Sequence, residues 1–95
     1  MVEQVDDLSV QYEEGGQVVV EELDKEILSR GAWATVLFKF REWSRSKEDF
    51  GPVKYTIRRY QKRNGVYRQQ SKFNISSKDQ ATKLCAALQR WAQED

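Results

Sequence analysis

Residues 33–43 read Trp-Ala-Thr-Val-Leu-Phe-Lys-Phe-Arg-Glu-Trp. The run is β-branched, aromatic or long at nearly every position, and it alternates, which predicts a β-strand. Successive side chains of a strand point to opposite faces. One face carries Ala34, Val36, Phe38 and Phe40 and reads as a core face. The other carries Trp33, Thr35, Leu37, Lys39, Arg41 and Trp43, so two indoles bracket a lysine and an arginine. A plain solvent face would hold Thr, Lys and Glu without the indoles.

The rest of the chain is read against that strand. Residues 1–17 are acidic, polar and broken by Gly15-Gly16, and they predict a mobile acidic arm ahead of a single α+β domain over 18–95. Residues 21–30 fit either a helix closed by Gly31 or a strand, and the strand is preferred because residues 33–43 need a partner. Ser44–Pro52 is a polar loop, and Lys54–Arg63 reads as a strand. Asn64-Gly65 marks a hairpin. A two-residue turn pairs Arg63 with Val66 and sets Ile57 against Lys72, mixing faces. A three-residue loop sets Tyr55 against Phe73 and Tyr60 against Arg68, and face consistency selects it, with Gly65 left-handed in a bulge.

That register gathers Lys54, Thr56, Arg58, Tyr60, Lys62, Arg68, Gln70 and Lys72 outside and Tyr55, Ile57, Tyr67, Phe73 and Ile75 inside. Arg59 and Arg63 fall on the core side and are not counted as ligands. Ser77 with Gln80, or Ser76 with Asp79, opens a helix whose stripe is Ala81, Leu84, Cys85, Leu88, Trp91 and Ala92. The expected fold is α+β, a four-stranded antiparallel sheet with one C-terminal helix packed on the core face, in the order β-β-β-β-α.

Composition removes several classes of function. The 95 residues include no histidine and one cysteine, which leaves no common general base and no zinc ligand set. No nucleophile, phosphate-loop or dinucleotide motif is present, so neither an enzyme nor a cofactor is expected. Cys85 has no partner for a disulfide and fits a reducing compartment. No stretch is apolar enough to span a bilayer and the acidic start lacks an apolar leader core, so a cytoplasmic or nucleoid-associated protein is expected.

The net charge of +1 hides a strong polarity: residues 1–29 carry −8, residues 30–78 carry +10 and residues 79–95 carry −1. A basic face with aromatic rings suits nucleic acid, because cations neutralise phosphates and rings stack on unpaired bases. The expected function is therefore a module binding single-stranded DNA or RNA. Trp33, Trp43 and Tyr60 would stack, and Lys39, Arg41, Lys54, Arg58, Lys62, Arg68 and Lys72 would hold phosphates. The same face could instead receive an acidic protein partner, making a protein-interaction or scaffold module. The charge split also suggests that the acidic segment folds over the basic face and competes with nucleic acid.

The Arg-Glu-aromatic ending of residues 38–43, the hairpin after it, and Lys72–Ser77 running into an amphipathic helix resemble the transcriptional coactivators called positive cofactor four. The stretch from Lys54 to Trp91 is also similar to Pur-type nucleic-acid-binding repeats. The likeness covers roughly residues 23–92 in element order. It implies four strands and a helix, a homodimer formed through the helix, and single-stranded DNA bound on the curved sheet in a transcription-related role. Lys39, Arg41 and Trp43 fall on the matching second strand. The chain departs from the pattern at Phe73–Ser76, where a Gly-Ile-Ser-Leu run is expected, and in its acidic segment.

Overall fold

The structure is a computed structural model that describes residues 2–94. A single 3-10 turn (Val5–Asp7) leads into β1 (Tyr12–Glu14), β2 (Gln17–Ser29), β3 (Trp33–Ser44), β4 (Asp49–Phe50), β5 (Lys54–Arg63), β6 (Val66–Ile75) and α1 (Lys78–Glu94). The α+β class and the C-terminal helix are as expected. The antiparallel sheet has six strands, not four, in the order β1-β2-β3-β5-β6 with β4 on β3. The extra strands are short: Gly15 and Gly16, both at positive φ, close a tight hairpin of β1 on β2, and Asp49-Phe50 folds back on Trp43-Ser44. Residues 21–30 are strand almost throughout, so the need for a sheet partner outweighed the helical spacing.

The core sits on the expected face of β3 but under an unexpected cover. Ala34, Val36 and Phe38 are wholly buried and Phe40 nearly so. What covers them is the N-terminal segment, through Val5, Leu8 and Val10. Polar contacts hold that segment in place. The Asp6 carboxylate accepts from both Arg30 guanidinium nitrogens at 3.0 and 3.3 Å. Lys25 Nζ donates to the Asp6 and Leu8 carbonyls, the Glu22 carboxylate accepts from Ser9 and Val10, and Tyr67 N–H donates to the Val2 carbonyl at 2.9 Å. The segment read as a mobile arm thus supplies three core side chains. Three aliphatic groups were enough, because a sheet face left bare gains about 1.5–3 kcal/mol for each such side chain it buries.

The helix lies on the other side. It lines a groove with Leu28, Leu37, Tyr55, Ile57 and Ile75, which belong to the face opposite Val36 and Phe38. None of its described residues is buried, and Leu88 and Trp91 are each more than half exposed. Ser77 caps it, accepting from the Gln80 N–H at 3.1 Å.

Candidate functional site

The β3–β5 register decides where the basic and aromatic residues go. Ala34 pairs with Tyr60, Val36 with Arg58, Phe38 with Thr56 and Phe40 with Lys54. Directly opposed residues share a face. Lys54, Arg58, Tyr60 and Lys62 therefore stand on the core face, and Lys72, opposite Arg58, joins them. Trp33, Lys39, Arg41 and Trp43 stand on the helix side, together with Arg68 opposite Gln61. The ten residues expected on one platform divide five and five between two faces. The expectation placed Tyr55 and Ile57 on the inner, core face; they pair with Lys39 and Leu37 and so lie on the face opposite Val36 and Phe38.

The hairpin differs as well. Arg63 pairs with Val66 around a two-residue turn, with Asn64 at φ 52° and Gly65 at φ 77°. Two left-handed central residues match the twist of the flanking strands. The face mixing that argued against this turn is removed by a bulge at Gln70: Tyr60 pairs with Gln69 and Arg59 with Ser71, so Ile57 meets Phe73 and not Lys72. One extra residue inverts the facing of everything beyond it.

On the core face the N-terminal segment covers one part of the sheet, and β5 and β6 carry the cations. Lys54 Nζ lies 3.0 Å from a Glu42 carboxylate oxygen. Arg58 donates from Nη1 to Gln69 Oε1 at 2.8 Å, and its Nε is buried without an acceptor. Lys62 Nζ stands 5.3 Å from the Tyr67 ring centroid, and Lys72 is exposed. Between them Thr56 is wholly buried and donates to Asn74 Oδ1 at 2.7 Å. Tyr60 is 6 % exposed, too covered to stack on a base, and burial pushes its phenol above the ordinary range. Residues 54–75 contain seven cations, namely Lys54, Arg58, Arg59, Lys62, Arg63, Arg68 and Lys72, and no acid.

The helix side is organised differently. Arg41 is held by Glu21 at 2.6 Å and lies 4.1 Å from the Phe50 ring centroid. Trp43 meets Phe50 edge to face at 5.2 Å and is partly covered. Both are engaged within the fold. Trp33 is 42 % exposed, with the Arg59 guanidinium 4.6 Å from its ring centroid. Arg59, set aside in the sequence, is thus the cation stacked on the exposed indole; the signal was its diagonal position to Trp33, visible only once the register is known. Phe73, 54 % exposed, was also missed as a surface group.

Among the described residues no cluster of three His, Cys, Asp or Glu side chains could hold a metal ion, and no helix is long and apolar enough to cross a membrane. No family model, curated protein or solved structure matches this chain.

Proposed function

We propose that this protein binds nucleic acid, single strands in preference to duplex, along the core-face side of the β5–β6 hairpin. The observation that carries the reading is the acid-free 22-residue hairpin at the edge of the sheet, four of whose seven cations, Lys54, Arg58, Lys62 and Lys72, stand on the core face. Lys54, Arg58 and Lys62 recur every four residues on β5 and span about 27 Å, with Lys72 beside Arg58 one strand away. This line of charge is about as narrow as one sugar-phosphate backbone, whereas a duplex presents two. Trp33, with the Arg59 guanidinium over its ring, lies on the opposite face of the sheet and outside this lane, so the reading rests on the cations.

Titration of a labelled single-stranded oligonucleotide at several salt concentrations tests the proposal. Four phosphate contacts predict a slope of log affinity on log salt near −2.8, by the single-strand rule of about −0.7 per phosphate. Combined Lys54→Ala, Lys62→Ala and Lys72→Ala should reduce the magnitude of that slope by about 2. Absence of binding at low salt would overturn the reading and favour an acidic protein segment as the occupant of the same lane.

A further inference from the structure

We infer that Arg58, Lys72, Gln69 and Asn74 form a discrete subsite for the terminal phosphate of a single strand, a phosphate monoester, within the lane described above. The inference rests on the nucleic-acid reading and adds to it the chemical group that fixes the strand's register. Two departures from ordinary sheet chemistry fall in the same place. Arg58 and Lys72 are directly opposed across the β5–β6 ladder, and like charges in that position repel. Among the described residues neither takes part in an ion pair. Arg58 also keeps a buried Nε without an acceptor. Folded chains retain local conflicts of this kind chiefly where a ligand uses the groups concerned.

The neutral neighbours are oriented to donate. The wholly buried Thr56 hydroxyl donates to Asn74 Oδ1 at 2.7 Å. With its oxygen taken, the exposed Asn74 amide is left with its two N–H donors. Gln69 Oε1 is likewise taken by Arg58 Nη1 at 2.8 Å, which leaves the Gln69 amide nitrogen to donate. Asn74 lies two residues along β6 from Lys72 and on the same face. Two cations and two oriented amides thus offer donors alone. The carboxylates of β2 and β3 on this face are engaged elsewhere. Glu22 accepts from Ser9 and Val10, and Glu42 holds Lys54.

Charge and oxygen count select the monoester. An internal diester brings a single negative charge and leaves only its two non-bridging oxygens free. A terminal phosphate brings about −1.5 to −2 at neutral pH and three strong acceptor oxygens. Only the second matches a pair of cations without a counter-charge, flanked by two further donors. A strand with hydroxyl ends finds its successive diesters equivalent there and slides along the lane. A terminal phosphate holds one position.

The test titrates one short oligonucleotide sequence against the full-length protein at fixed salt in three forms: with a 5′-phosphate, with a 3′-phosphate, and with hydroxyls at both ends. At least one phosphorylated form should bind about tenfold more tightly than the hydroxyl form, through the added charge-assisted hydrogen bonds. Asn74→Asp keeps an acceptor for Thr56, so the fold should stand, and it should abolish that advantage. Thr56 is a positioning residue; Thr56→Val frees the Asn74 amide without changing any charge and should reduce the advantage several-fold. Lys62→Gln, outside the subsite, should weaken all three forms and leave their ratio unchanged. Equal affinity of the three forms overturns the subsite and leaves the lane in place. An advantage that survives both Asn74→Asp and Thr56→Val also overturns it. Binding of no form removes the nucleic-acid reading and this inference together. Inorganic phosphate is the same chemistry without a strand, and saturation by it at the concentration the phosphorylated strand requires would make the free anion the ligand and overturn the inference.

Discussion

Arg58 stands directly across from Val36 in the β3–β5 ladder, so a cation and a wholly buried aliphatic side chain share one face of the sheet. That pairing places the basic lane on the same side as the core and leaves the opposite side to the helix. Arg58 is a compromise as a result. Its guanidinium is partly covered and its Nε has no acceptor, and an orphaned buried donor costs about 1–3 kcal/mol.

Arg58→Met should therefore keep or raise stability while weakening oligonucleotide binding. Urea unfolding read beside a binding titration separates the two effects. A large loss of stability would show that the Arg58–Gln69 hydrogen bond outweighs the orphaned donor.

The N-terminal segment should be an integral part of the fold. Leu8, 3 % exposed, packs on the core, and Leu8→Ala is expected to cost about 2–4 kcal/mol in chemical denaturation. Its charged anchor acts in the acid range. Hydrogen bonding and charge from Arg30 hold the Asp6 carboxyl below its ordinary value. A carboxyl depressed by folding contributes above its unfolded value, and the contribution disappears as pH falls through the folded one. Asp6→Asn should accordingly reduce docking of the segment at neutral pH and flatten its loss below about pH 4, followed by amide exchange at Tyr67.

Burial raises the Tyr60 phenol, with Arg58 opposing and Glu22 reinforcing the shift. The sign is opposite to that of Asp6: the stabilisation is complete below the unfolded phenol value and is lost as pH rises through the folded one. An ultraviolet titration should show a tyrosinate component above the ordinary phenol range, near pH 10, that Tyr60→Phe removes. Its persistence in the variant would assign it elsewhere.

The β5–β6 turn and the bulge should respond differently to change. Gly65 sits at φ 77°, and Gly65→Ala is expected to cost about 1–2 kcal/mol with the pairing intact. Deleting Gln70 removes the unpaired extra residue and leaves a regular ladder in which Ser71 still meets Arg59, Phe73 still meets Ile57 and Ile75 still meets Tyr55. Thermal unfolding should show a lowered midpoint for the first variant and a retained cooperative transition for the second, and loss of that transition on deleting Gln70 would show that the bulge itself is needed.

Much of the local structure was legible in the residues. The alternation in 33–43 identified β3 and its buried face, Asn64-Gly65 marked the hairpin, and Ser77 marked the start of a helix with one apolar stripe. These are set within a few residues, by side-chain alternation, left-handed turn positions and an N-cap. The relations between elements were not legible. A bulge shifts register by one residue without a composition signature, as it does between β5 and β6, and which face of β5 joins the core face of β3 was decided by Val36 meeting Arg58 and Phe38 meeting Thr56 in the unbroken β3–β5 ladder. The cover over that face was likewise open: both α1 and the N-terminal segment offer apolar side chains. Long-range packing placed Val5, Leu8 and Val10 on the core and α1 on the other side, because facing and proximity between distant segments exist only once the sheet has closed.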